Sequence, residues 1–183
     1  MTSILKVDQL QDSGGNAIIT SDGSGNLTTQ KLLYPAWMVY LSSDQSSSDA
    51  IYTKVQFDTK LVDTDNMYDN TTNYRVTIPS GKAGKYYVES TIMLNSLAVN
   101  NLVRNRTEIY KNGSRFSTHF FDARNNYTQQ NSNTNSLIMD LAVNDYIEIF
   151  GYVDTVSGAA AQFRGAPLST NLESWFQGYR IGD

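Results

Sequence analysis

From residue 34 onward, apolar and polar side chains alternate in short bursts. Gly, Asn, Ser or Pro break the pattern every roughly 10–15 residues, which is the punctuation of strands and turns. The alternation predicts strands at Trp37–Leu41, Lys54–Phe57, Lys60–Val62, Tyr74–Ile78, Tyr86–Leu94, Thr107–Lys111, Ser114–His119, Leu137–Leu141, Tyr146–Tyr152 and Trp175–Ile181. Pro79-Ser80-Gly81 stops one strand, and Asn112-Gly113 is the strongest hairpin turn in the chain. The polar stretches Ser42–Ser48 and 122–135 read as solvated loops, and Leu97–Val103 is the only, short, helix candidate. Many short strands with Gly and Asn turns predict an all-β sandwich or jelly roll.

The first 33 residues follow a different pattern. Ile4, Leu5, Val7 and Leu10 mark a short strand, Asp12–Asn16 a turn, and Ala17–Thr20 a second strand. A Gly-rich turn over Ser21–Asn26 then precedes Leu27-Thr28-Thr29. Strands this short carry too few apolar side chains for a core of their own. Residues 1–33 are therefore expected to attach or intertwine, against the main domain, sister chains or a docking surface, while 34–183 fold as the main domain.

Composition sharpens the class. Ser, Thr, Asn and Gln make up about a third of the chain, Tyr contributes 12 residues, and only 17% is charged. Such a chain suits half-buried pleated surfaces and turns better than helix interiors. Net charge −4 disfavours binding to phosphate backbones, so no nucleic-acid partner is expected. No Cys is present, which removes disulfides, thiolate catalysis and cysteine-bound metals. The longest apolar run, Leu32–Leu41, is too short to span a bilayer, and the opening residues lack a secretion-signal pattern.

Several elements occur in a suggestive order: Phe57…Asp69, then Tyr74-Arg75-Val76-Thr77-Ile78-Pro79, then Gly84-Lys85-Tyr86-Tyr87-Val88. Lys111-Asn112-Gly113, Leu137…Leu141 with Asn144-Asp145-Tyr146-Ile147, and Ser174-Trp175-Phe176-Gln177-Gly178-Tyr179 follow. Over residues 36–183 this set resembles the globular heads of the complement q and tumour-necrosis-factor superfamily. Asn144 stands where that family has Gly, a change that left-handed geometry tolerates. The resemblance implies a ten-stranded, homotrimeric jelly roll. Its axis or core would draw on Tyr86, Tyr87, Phe150, Tyr152, Trp175, Phe176 and Tyr179. No collagen-like stalk precedes the domain. Instead, residues 1–30 resemble N-terminal pieces of small fibre proteins of tailed phages, notably marine cyanobacterial phages.

Together the resemblances imply a virion structural protein, exposed on the particle and anchored to other virion proteins through residues 1–30, with a knob that faces a host-surface glycan. A head-attached fibre or decoration, and a free secreted binding module, are the alternatives. Chemistry offers little else. His119 is the single His, no G-x-S-x-G elbow occurs, and Glu89, Glu108, Glu148 and Glu173 are scattered, so no enzyme is expected. Asp63, Asp65 and Asp69 are calcium candidates in one loop, without an EF-hand pattern; no other cofactor is implied. Asp122, Arg124, Asn125, Asn126, Tyr127, Gln129 and Gln130 are the receptor candidates, since rings stack on sugars while amides bind hydroxyls.

Overall fold

The computed structural model describes residues 7–29, 35–124, 128–166 and 171–182. The chain divides into two compact units, Met1–Tyr34 and Pro35–Asp183. The first is an antiparallel meander of β1 (Gln9–Gln11), β2 (Ala17–Ser21) and β3 (Leu27–Thr29). Its two turns repeat one design. Asp12 Oδ1 accepts from the amides of Gly14 and Asn16 (both 2.9 Å), while Asn16 Nδ2 donates to Asp12 Oδ2 (3.0 Å). Asp22 accepts likewise from Ser24 (2.7 Å) and Asn26 (3.1 Å), and Asn26 Nδ2 closes the ring (2.7 Å). Gly15 and Gly25 take φ of 79° and 92°, which is why Asp-x-x-Gly-Asn recurs.

In the second unit, one seven-stranded sheet contains β4 (Ala36–Tyr40), β5 (Gln45–Ser47), β7 (Thr59–Asp63), β10 (Gly84–Asn95), β13 (Gln130–Leu141), β15 (Ala161–Phe163) and β16 (Trp175–Gly182). Its order is β5-β15-β10-β16-β4-β7, with β13 also pairing β10. A six-stranded sheet runs β12 (Ser114–Asp122), β11 (Leu102–Lys111), β14 (Tyr146–Thr155), β9 (Arg75–Thr77), β8 (Tyr68–Asp69). β6 (Thr53–Lys54) also pairs β14. All pairings are antiparallel, and the described residues contain no helix. The resemblance implied ten strands; among the described residues of this unit thirteen segments form, several only two or three residues long.

The sheets face each other across an aromatic and aliphatic core. Trp37, Tyr86 and Phe176 meet at its centre, with ring centroids 5.5 Å (Trp37–Phe176) and 5.9 Å (Trp37–Tyr86) apart. Period-two alternation places Tyr86, Val88, Ser90, Ile92 and Leu94 of β10 inside and Lys85, Tyr87 and Glu89 outside.

Three sequence expectations are corrected. Residues 130–135 are not loop but the first half of β13, which pairs with β10 from Asn95↔Gln130 to Gly84↔Leu141. Their inward side chains are amides that bridge to the other sheet. Asn133 donates to Asn105 (3.0 Å) and to the His119 carbonyl (3.1 Å), and Asn135 donates to the Thr107 carbonyl (3.0 Å). Hydrogen bonds replace apolar contacts there, so no hydrophobic signal announces the strand. Within Ser42–Ser48, Gln45–Ser47 adds to the sheet edge against β15 and Ser47 is buried. Leu97–Val103 is not helical: a turn with Leu97 and Asn100 at φ of 64° and 62° leads into β11.

Candidate functional site

The expected receptor stretch 122–135 is not all loop, because its residues from Gln130 onward belong to β13. Asp122 and Arg124 pair with each other, the guanidinium closing on the carboxylate, which holds Asp122 below its usual value. Between that pair and the strand, Ala123 is buried and donates to the Val103 carbonyl (2.8 Å). Gln129 reaches Asn95 (3.4 Å), and Gln130 lies in β13. Asn125, Asn126 and Tyr127 lie outside the described residues.

The calcium candidates are likewise separated. Asp63 pairs with Lys60 (2.7 Å) and accepts from the Met67 amide (2.7 Å), whereas Asp65 pairs with Lys82 (3.0 Å). Asp69 caps its own loop, accepting from the amides of Thr71 and Thr72 (both 3.0 Å) and Asn73 (3.1 Å). Those backbone donors, Thr72 first, hold its carboxyl well below the usual carboxylate range. Among the described residues no group of three or more His, Cys, Asp or Glu is placed to hold a metal. The loop spends its acidic side chains on local bonds instead.

Strand faces sort the aromatic candidates. Tyr86 and Phe176 point into the sandwich and are core, and burial pushes the Tyr86 phenol up to about 12. Phe150 and Tyr152 lie on the outward side of the six-stranded sheet, where side chains of neighbouring strands partly cover them. Tyr52 packs on Tyr152 (4.7 Å), Tyr110 on Phe150 (4.3 Å), and Arg115 lies over Tyr52 (4.8 Å). Beneath this cover Glu108 is fully buried, held by Arg115 (2.8 Å) and Thr118 (3.3 Å).

Only Trp175 and Tyr179, with Tyr87, are on the outward side of the seven-stranded sheet. Register places Ile138, Tyr87, Tyr179 and Ala36 in one row across β13, β10, β16 and β4. Met38 pairs with Val62 at the neighbouring strands. Ile138 is 61% exposed and Tyr179 48%, while Val62 and Ile181 are also exposed. Tyr87 and Tyr179 stack at 5.5 Å. Sequence reasoning missed Ile138 and Val62, although their apolar character at outward positions was readable once the register was known. This band leaves several large apolar side chains of one sheet face in solvent, and contiguous apolar patches mark interaction surfaces.

No family model matches the chain, and no curated protein does. Solved structures are similar in fold. Eiger TNF from S. frugiperda aligns over 82% of this chain and 94% of its own, with TM-score 0.57 and 10% identity. Murine APRIL, crystallised at pH 8.5, aligns over 81% and 99%, with TM-score 0.54 and 10% identity. The globular domain of zebrafish complement 1qA protein aligns over 80% and 97% at 15% identity, with TM-score 0.49. The all-β sandwich of this chain is a jelly roll of the type seen in the two TNF-related structures.

Proposed function

We propose that this chain is a non-enzymatic virion structural protein of a tailed phage. Three jelly-roll units form a knob that engages a host-surface glycan, and residues 1–33 attach the knob to other virion proteins. The observation that carries the reading is the exposed apolar row Ile138–Tyr87–Tyr179 on the seven-stranded sheet. A water-facing sheet of a lone domain would carry polar side chains at these positions. A second copy covering the row removes that cost. The small N-terminal meander adds support. It is a separate unit, with Val7, Leu10 and Leu27 exposed, as an attachment segment would be before it meets its partner.

Light scattering after size exclusion tests the assembly. The reading expects about 61 kDa, three times the 20.4 kDa chain; a value near 20.4 kDa overturns it. Deleting residues 1–33 tests the attachment role: the shortened protein should keep its knob but be lost from purified particles.

A further inference from the structure

One recess in the second unit combines a strained aromatic residue with polar groups that the fold leaves unused. Its volume is about 200 Å³, and it is lined by Leu41, Ser43, Asp44, Gln45, Gln56, Asp58 and Tyr74. Tyr74 holds φ at 48°, in the left-handed region that an aromatic residue rarely occupies. Bonds on both sides impose it. Asp69 caps the preceding residues, Lys54 Nζ donates to the Asn73 carbonyl (3.2 Å), and the Arg75 guanidinium lies over the Tyr146 ring (4.2 Å). Strain that the surroundings over-determine is concentrated at ligand sites.

The other walls are pinned as well. Asp58 accepts from the Ser42 amide (2.9 Å) and hydroxyl (2.7 Å), and its carbonyl accepts from Asn70 (2.7 Å). Asp44 accepts from Arg164 (2.7 Å) and the Gly165 amide (2.9 Å). Gln45 uses both ends of its amide, on the Lys54 carbonyl and the Gln56 amide (both 2.8 Å). Each carboxylate keeps acceptor capacity, since its two oxygens offer about four lone-pair sites. The Tyr74 hydroxyl, the Gln56 side-chain amide and the Ser43 hydroxyl bond to nothing among the described residues.

We infer that this recess binds one neutral pyranose ring of a surface glycan. The inference rests on the attachment reading and names its site. The chemistry selects the class. The one aromatic ring, Tyr74 with its phenol hydroxyl, beside the Gln56 amide, the Ser43 hydroxyl and the fixed carboxylates of Asp44 and Asp58 matches a ligand that has ring C–H faces and several hydroxyl donors. Asp44 and Asp58 disfavour acidic sugars and phosphates: no cationic side chain lines the recess, and Arg164, which reaches Asp44, is shared with Glu173. None of the recess's lining residues belongs to the expected receptor stretch 122–135.

Saturation-transfer NMR on the full-length protein tests it, using the methyl pyranosides of glucose, galactose and mannose as probes. At least one is expected to bind, with a dissociation constant on the order of millimolar for a single ring in an open site. Gln56→Ala should weaken that binding several-fold, and Tyr74→Gly and Tyr74→Asn should weaken it at least tenfold. Both Tyr74 variants relieve the left-handed backbone, so melting temperature should hold or rise. Four outcomes overturn the inference: no transfer to any probe, unchanged binding in the Tyr74 variants, equal binding of N-acetylneuraminic acid, or a large fall in melting temperature in both Tyr74 variants. Cell binding separates the two readings. If wild type and Tyr74→Gly bind a panel of cyanobacterial strains alike, the recess fails and attachment stands. If wild type binds a pyranoside but no cell surface, attachment fails and the recess stands.

Discussion

Gly178 lies beneath the indole of Trp37: a Cβ built at 178 would stand 2.3 Å from Trp37 Cζ2 and 2.8 Å from the Tyr87 carbonyl. β16 runs between β10 and β4 and pairs Gly178 with Val88 on one side and Trp37 on the other. Only a residue without a side chain lets the indole cross the strand to reach Phe176. Gly178→Ala is expected to cost about 1–3 kcal/mol or more, the range of overpacked cores. A lowered urea midpoint with an unchanged slope would show it. An unchanged midpoint would mean that the indole has room to move, against the close contacts seen.

Glu108 and Arg115 give a second test. The carboxylate has no exposed surface, while the arginine side chain is 43% exposed. Removing the arginine leaves a buried charge with Thr118 (3.3 Å), the Tyr110 phenol and a distant Arg106 (3.9 Å). Breaking a buried pair from one side costs about 3–5 kcal/mol, and the remaining partners put Arg115→Ala near the lower end. Adding Glu108→Gln to Arg115→Ala should recover part of the loss, because the amide no longer buries a charge. Urea unfolding of the single and double variants reads both. A double variant no better than the single one would place the loss in the packing of Arg115 on Tyr52.

These two pairs also mark what sequence could and could not reveal. Gly178 was readable as part of a C-terminal pattern, but the indole that demands it lies 141 positions away, at Trp37. The Asn112-Gly113 hairpin was fully local, and both residues adopt the positive φ, 52° and 75°, that such a turn requires. Asn144 likewise takes φ of 70° in the place expected for Gly. β10 was clear because its inward residues are apolar. The first half of β13 was not, because Asn133 and Asn135 bridge to the six-stranded sheet by hydrogen bonds rather than by apolar burial. The faces of Phe150 and Tyr152 were not legible, since distant Tyr52 packs on Tyr152 while Phe150 stays half-buried on the same outward side. The recess was invisible for a similar reason: nothing near Tyr74 in the sequence announces a left-handed backbone.

Acid should loosen the loop that presents Tyr74. Backbone amides, Thr72 first and then Thr71, hold the Asp69 carboxyl below its ordinary 3.8. A depressed value in the folded state means that the stabilisation is present above the unfolded value, about pH 4, and is lost as pH falls toward the folded one. Asp69→Asn removes the charge. Wild type should therefore melt higher than the variant at about pH 5, and the gap should narrow as pH approaches about 2. A gap that stays constant over this range would mean that the cap works without its charge.

The apolar row on the seven-stranded sheet makes the last prediction. Ile138 projects from β13 beside Tyr87, which stacks on Tyr179. Its 61% exposure means that Ile138→Glu removes little packing within one copy and should leave the sheet intact. At an interface the same change buries an unpaired carboxylate against Tyr87 and Tyr179 of a neighbouring copy, which costs several kcal/mol. The expected result is a molar mass that falls from about 61 kDa to the single-chain 20.4 kDa, with the far-ultraviolet spectrum unchanged. Val156→Glu is the control. Val156 is even more exposed, at 71%, but it lies in the turn after β14, away from the row. Loss of assembly in both variants would trace the effect to added charge rather than to this face. Loss in neither would show that the copies meet elsewhere, and the row would need another partner.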